Sequence, residues 1–332
     1  MELNKDLYQH PKLITVFGGS GFVGRHVVEA LTKRGYRVRI ATRRPEREYY
    51  MLQVGEVGQT QMLKTNVRNR ESVGRALLGA DAAVFLPGLL YSTGKNNFNN
   101  VQVSGAQNVA ELAKSAGIPL VHMSALGADA SSNVEYSRTK AQAEQIVQKV
   151  HPDAIIMRPS IIFGPEDSFF NKFADMSRLS PFLPLFGGGA TKLQPVYVGD
   201  IAKFVVKAID GQVPTGKIYE LGGTDIVSFR EAMDLMLEVI NRKKKFINIP
   251  WGLGIMMGGI FGALGKIPLM PTMTTAGQIK LLKNDNIVSR EAEKEGRTLQ
   301  GVGIEPQIME AILPTYLWRF RLQGQFAKNL AS

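Results

Sequence analysis

Short runs of apolar or β-branched residues alternate, through the first half of the chain, with segments whose apolar positions recur every three or four residues. The first run, Leu13-Ile14-Thr15-Val16-Phe17, is unbroken in the way of a strand covered on both faces. Behind it, Val23, Val27 and Leu31 fall on one face of a helix reaching about Arg34. The same grammar repeats, with strands expected over 37–42, 61–66, 82–86, 120–124 and 154–157 and helices over 71–78, 101–116 and 136–150. Such alternation predicts an α/β fold, a doubly wound parallel sheet with helices on both faces.

Between the first strand and the first helix lies Gly18-Gly19-Ser20-Gly21-Phe22-Val23-Gly24, with glycines at G-x-x-G-x-x-G spacing. One glycine permits a tight turn, the next lets backbone amides approach a phosphate, and the third lets helix and strand pack closely. The helix N-terminus behind it carries unpaired N–H donors and partial positive charge. A strand before the glycines and a helix after them make this a dinucleotide-binding βαβ unit. In sites selective for NAD the second strand ends in an acid that holds the ribose 2′-OH; here it ends in Arg43-Arg44, whose guanidinium forks suit a 2′-phosphate. The expected cofactor is therefore NADPH.

From Pro159 the pattern changes. Prolines and glycines thicken (Pro181, Pro184, Gly187, Gly188, Gly189) and loops lengthen. A strand fragment at 196–198, a helix over 200–209 and a strand over 217–221 follow, and Ser228-x-x-Glu231 is a capping box opening a helix through Asn241. This divides the chain into a dinucleotide-binding Rossmann domain over 1–160 and a smaller, mixed lobe over 161–332, from which segments can return to the sheet.

Within the expected helix 136–150, Tyr136 and Lys140 stand one turn apart on a shared face. A nearby ammonium favours tyrosinate, and the same lysine can bond a nicotinamide ribose, so the pair suits proton transfer. The fifth strand ends Met123-Ser124-Ala125-Leu126, where Ser124 offers the sole hydroxyl.

Composition narrows the alternatives. There is no cysteine, which removes disulfides and Cys-based zinc sites, and the four histidines show no metal-ligand spacing. Net charge is +11, yet no nucleic-acid motif accompanies it, so nucleic acid is not an expected partner. The first ten residues, with Glu2 and Asp6, read neither as a secretory signal nor as an Arg-rich transit peptide.

The order of four motifs, Gly18-x-x-Gly21-x-x-Gly24, Tyr136-x-x-x-Lys140, Arg158-Pro159-Ser160 and Val196-Tyr197-Val198-x-Asp200, resembles that in extended short-chain dehydrogenases/reductases. Residues 136–144, 154–174 and 194–203 are similar to the atypical branch that contains the NADPH-binding accessory subunit (alpha subcomplex subunit 9) of respiratory complex I. The resemblance implies that Gly18, Gly19, Ser20, Gly21, Phe22, Val23 and Gly24 hold pyrophosphate and that Arg43 and Arg44 take the 2′-phosphate. It places Asn66 and Val67 at the adenine edge and Leu86, Pro87 and Gly88 at the ribose. Tyr136 and Lys140 fall at the nicotinamide end with Ser124, and Pro159, Ser160 and Ile161 against the ring. Active members carry a Ser or Thr beside the tyrosine; here Ala125 or Leu126 falls near that place, and Asn66 replaces the usual Asp. The expected function is a non-catalytic subunit; the alternative is a free NADP-dependent reductase or epimerase. Expected partners are complex I subunits and anionic lipid head groups. The expected place is peripheral, on the cytoplasmic face of a bacterial inner membrane or the matrix side of a mitochondrial one.

One stretch stands apart. Residues 249–265 are apolar and rich in Gly and Met, preceded by Arg242-Lys243-Lys244-Lys245 and followed by Lys266. About fifteen such residues span ~22 Å as a helix, short of the ~30 Å hydrocarbon core. The stretch is either buried core or an interfacial segment anchored by Trp251, with Trp318 to Arg321 repeating that chemistry.

Overall fold

The structure is a computed structural model that describes residues 11–89, 91–92, 94–264 and 275–322, with backbone alone over 260–264. The N-terminal residues Glu2 and Asp6, the side chain of Phe261, and Gly265 and Lys266 lie outside the described residues.

The chain order is β1 (Leu13–Phe17), α1 (Phe22–Lys33), β2 (Arg37–Thr42), β3 (Thr60–Lys64), α2 (Arg70–Leu77), β4 (Ala82–Phe85), α3 (Ser104–Ser115), β5 (Leu120–Met123), α4 (Glu135–Val150) and β6 (Ile155–Pro159). It continues with β7 (Ile162–Phe163), α5 (Phe170–Leu179), β8 (Phe182–Phe186), β9 (Lys192–Leu193), β10 (Val196–Tyr197), α6 (Val198–Ile209), β11 (Ile218–Leu221) and β12 (Val227–Ser228). Then come α7 (Phe229–Val239), β13 (Lys245–Ile249), α8 (Trp251–Leu264), α9 (Ala276–Leu281), α10 (Arg290–Lys294) and α11 (Met309–Leu317).

A seven-stranded sheet, every pairing parallel, runs in the order β11-β6-β5-β4-β1-β2-β3. The Rossmann-like α/β fold expected from the alternation is thus the fold observed, and the order reverses at β1/β4, where such sheets leave a crevice at their carboxyl ends. The central strands are buried end to end because both faces are covered. On one face, Val27 and Leu31 of α1 pack with Phe204 and Val205 of α6. On the other, Val73 of α2, Val109 of α3 and Val147 of α4 pack over Phe85 and Ile156.

Residues beyond 160 contribute to both layers. β11 forms the edge of the main sheet beside β6, and α6 lies against α1. A second core gathers Phe163, Phe170 and Phe173, Leu183 and Leu185, Phe229 and Met233, and Leu313 and Leu317. The capping box at Ser228 is present, its hydroxyl accepting from the Glu231 amide while the Glu231 carboxylate accepts from Ser228 N–H. Around Pro181 and Pro184 the sequence reads as lengthening loop, whereas the structure has α5 and then β8, which pairs in parallel with β13 some sixty residues on. Pro184 is accommodated because this is a two-stranded ribbon with free edges.

Arg158 at the end of β6 joins the layers. Its Nε and Nη2 donate to Glu144 of α4 at 2.8 and 2.6 Å, and Nη1 lies 3.7 Å from Glu220 of β11. Glu144 is buried, so its charge depends on that fork. Glu144→Leu leaves Arg158 with Glu220 alone. Urea unfolding is expected to show a loss of about 3 kcal/mol, the low end for one partner of a buried pair; a loss below ~1 kcal/mol would show that the fork is idle.

A dinucleotide-type candidate site at the carboxyl edge of the sheet

The chain leaves β1 through Gly18 at φ +73°, whose amide donates to Ala41 O at 3.1 Å. The Gly21 amide closes the turn on Gly18 O at 3.0 Å. A β-carbon on Gly24 would stand 2.2 Å from that same oxygen, so only glycine lets α1 start here. The first helical bond runs from Arg25 N to Gly21 O, which leaves the amides of Phe22, Val23 and Gly24 outside the helical ladder. No acidic residue occupies that first turn and Gly21 supplies no side-chain cap. The result is a cradle of amides with uncompensated positive potential, fitted to an anion.

At the end of β2, Arg43 and Arg44 are exposed and form no ion pair among the described residues. Thr42 beside them is buried; Ser20 donates to its hydroxyl, and it donates to Glu48, each at 3.2 Å. The strand end lacks an acid in sequence, but the loop folds Glu48 back to it. Asn66 is less free than its sequence position suggests, since its Oδ1 accepts from the amide and Nε of Arg68, both at 3.2 Å. Val67 O accepts from Asn108 at 2.9 Å. Leu86 N donates to Phe17 O at 3.1 Å, Pro87 lies over Gly18, and a β-carbon on Gly88 would stand 3.7 Å from Lys140 Nζ.

Lys140 is buried and donates to Met123 O at 2.9 Å. Burial pulls its ammonium down to about 8, with Glu144 one turn on pulling the other way. Tyr136 sits edge-on to Phe98 with centroids 6.2 Å apart, and burial pushes its phenol up to about 12. Desolvation sets the direction of that shift. Ser124 is 2% exposed and its hydroxyl has no partner among the described residues. Leu126 turns into a small cluster with Val288 and Ala292. Pro159 O accepts from the Leu126 amide, and Ile161 O from the Val196 amide. Ser160 donates to Asn286 Oδ1 at 2.7 Å, so its hydroxyl is already engaged.

The glycine turn, the β2 end, residues 86–88 and the Tyr136–Lys140 face therefore line the carboxyl edge of one sheet. Several groups were not singled out from sequence. Gln102, in a π-turn ahead of α3, accepts from Thr139 at 2.8 Å and donates to Leu89 O at 3.3 Å, tying α4 to the loop after β4. A buried amide in a helix that otherwise buries small and apolar residues was the available signal. His122 is stacked on Phe85 at 5.2 Å with both ring nitrogens unpartnered among the described residues, and burial aided by Lys140 lowers it to about 3. Glu48 and Asn286 gave no local signal, because only folding brings them here.

Residues 14–222 match the NAD dependent epimerase/dehydratase family. The chain belongs to that family. It is 32% identical to the alpha subcomplex subunit 9 of NADH dehydrogenase [ubiquinone] 1 from Arabidopsis thaliana, over 93% of this chain and 78% of that protein. It is 24% identical to a ceramide reductase of Caulobacter vibrioides, over 96% of this chain and 98% of that protein. A dTDP-glucose 4,6-dehydratase from Streptomyces venezuelae, solved with NAD bound, shares the epimerase-type fold at a TM-score of 0.68 and 20% identity, covering 93% of this chain and 96% of that one.

The buried ammonium yields a test. Lys140 is protonated in folded and unfolded chains below pH 8, so its burial there costs stability in full. Between pH 8 and 10.5 the unfolded chain holds a proton that the folded one has lost, so wild-type stability from this group rises with pH. Lys140→Met is expected to stabilise by ~1–2 kcal/mol at pH 7, net of the lost bond to Met123, with the margin shrinking toward pH 10.5. Thermal melts across pH check it; a margin constant with pH would overturn the assignment.

Proposed function

We propose that this protein is an NADPH-binding, non-catalytic accessory subunit of respiratory complex I, docked peripherally at the membrane face. The observation that carries the proposal is the match to a complex I subunit over 93% of the chain, which extends well past the glycine turn into the second lobe. The cradle at Phe22, Val23 and Gly24 fits a pyrophosphate, and a group so held supplies hydride chemistry when an acceptor and a proton donor are in place. Arg43 and Arg44 favour the 2′-phosphate, with Glu48 as a counterweight that a 2′-OH would use instead. Leu86, Pro87 and Gly88 would line the ribose, and Lys140 would hold the nicotinamide end. One feature supports a site that binds without turning over: the β5 end offers a single hydroxyl, which is buried.

A free NADP-dependent reductase is the second reading. It is favoured by the shared face of Tyr136 and Lys140 and by the likeness to a ceramide reductase along nearly its whole length.

The second lobe supports a docking role toward anionic lipid head groups. In α8, Gly254 rests on Phe186 and Gly258 on Ala276 and Ile279, while Leu253 and Met256 are 46% and 57% exposed. Trp251 lies against Gly187. Phe182 and Ile247 expose apolar surface on the β8–β13 ribbon, where Phe182 pairs with Lys245 and Pro184 with Ile247. Arg242 and Lys244 bond Phe320 O and Ser180 O, whereas Lys243 and Lys245 are exposed with no ion pair among the described residues. No helix of the described residues is long and apolar enough to cross a membrane. A short apolar helix beside unpaired cations suits the interfacial plane.

Two measurements test these readings. Calorimetric titration should find NADPH bound well ahead of NADH, with Arg43→Ala weakening NADPH at least tenfold, since a charge-assisted bond is worth about 1.5–3 kcal/mol, and sparing NADH. Equal losses for both cofactors would overturn the 2′-phosphate assignment. In flotation with vesicles containing phosphatidylserine, Lys243→Glu with Lys245→Glu should release most bound protein, since each cation contributes about 1 kcal/mol at such a surface. Undiminished flotation would remove lipid from the proposal.

A further inference from the structure

The segment 164–171 joins three distant parts of the chain. Asp167 is buried at its centre and accepts from the amides of Gly164 at 3.2 Å, Phe169 at 2.9 Å and Asn171 at 3.1 Å, and from the Tyr316 hydroxyl at 2.6 Å. A carboxylate has about four lone-pair sites, and these donors take them all. Three belong to the segment itself and set its shape. The fourth comes from α11, close to the C-terminal end of the described chain. One turn on, Arg319 donates to Asn171 Oδ1 at 2.7 Å and to Pro165 O at 3.4 Å.

The other side of the segment meets α1. Glu166 pairs with Arg25, and a β-carbon on Gly164 would stand 3.4 Å from the Phe22 ring. Phe22 and Arg25 bracket Val23 and Gly24, whose amides belong to the cradle. Arg25 also donates to Tyr50 at 3.1 Å, while its Nε is buried without a partner among the described residues, so Glu166 and Tyr50 fix its direction.

We infer that segment 164–171 is a strap through which the C-terminal helix holds the first turn of α1 in place, and that Asp167 and Tyr316 are positioning residues for retention of a dinucleotide's pyrophosphate. The inference rests on the dinucleotide reading above for its ligand, though not for its mechanics. Tension on α11 or its release reaches the cradle through Tyr316, Asp167, Glu166 and Arg25 in turn. None of the strap contacts named above reaches the β2 end, and only Arg25 continues from them, to Tyr50 in the segment after β2, so the adenosine half of the ligand is outside their direct reach.

Tyr316→Phe removes one hydroxyl from the full chain and leaves the ring in its core. The test titrates wild type and variant with NADPH and with adenosine 2′-monophosphate, and follows hydrogen exchange at the amides of Arg25 to Val28 without ligand. The strap requires NADPH to weaken by roughly five- to tenfold, adenosine 2′-monophosphate to be unchanged, and those amides to exchange several-fold faster. Glu166→Gln should do the same from the other end. Equal weakening of both ligands, or unchanged exchange with only a lowered melting temperature, would overturn the strap and leave Tyr316 a plain core residue. Should wild type bind neither ligand, the dinucleotide reading fails, and hydrogen exchange alone still decides the strap.

Discussion

Glycine 24 is the constraint on which the rest of this molecule depends. With the carbonyl of Gly18 only 2.2 Å from where a β-carbon would be, α1 can start where it does only if that carbon is missing. That closeness brings the helix's unpaired amides over the end of β1 and sets the axis of α1 against the sheet. α6 then packs on α1, and Phe204 and Val205 fill the layer below. A larger residue would push the helix outward, spoiling the cradle and the packing of α6 together. Local chemistry and global fold are specified by one absent methyl group.

A second constraint positions the other half of the site. Lys140 and Glu144 are one turn apart on α4, and Glu144 is held in a fork by Arg158 of β6. The ion pair thus fixes the rotation of α4 about its axis and aims Lys140 at Met123 O and toward Gly88. It also supplies the one negative charge that raises the proton affinity of the lysine against burial. Arg158, read from sequence as part of a family motif, therefore acts two removes from any ligand, through Glu144 and then Lys140.

How much of this could be read from the chain follows from the range of the interactions. The strands of the sheet and the glycine turn were legible because burial on two faces and a steric requirement leave local marks, as in Leu13–Phe17 and Gly18 to Gly24. The capping box at Ser228 was legible because both partners lie three residues apart. The β8–β13 ribbon was not, since its register joins residues some sixty positions apart and Pro184 argues locally for a loop. Glu48 shows the same limit inside the site. The strand end was read as lacking an acid, and the chain returns one through a turn of six residues and a hydroxyl bridge from Thr42. Asn286 reaches the Ser160 hydroxyl across 126 positions, a partner that no local pattern around 159–161 could announce. Spacing placed Tyr136 and Lys140 on one face of α4, but it left unspecified that Lys140 is buried and that burial raises the Tyr136 phenol.

The distribution of unsatisfied groups bears on what the site is for. Among the described residues the buried side-chain atoms without a partner include Ser124 Oγ and both nitrogens of His122, alternate residues at the end of β5, beside the buried ammonium of Lys140. Each orphan of this kind costs about 1–3 kcal/mol, and a buried cation with one carbonyl partner costs more. A sheet edge with no ligand to hold has no physical reason to retain all of them, when apolar residues of like volume would pack there with greater stability. Turnover would need more: a hydroxyl open to an incoming carbonyl and a phenol close to giving up its proton. Ser124 is buried, and burial raises the Tyr136 phenol to about 12. The strain kept at this edge matches holding a polar ligand.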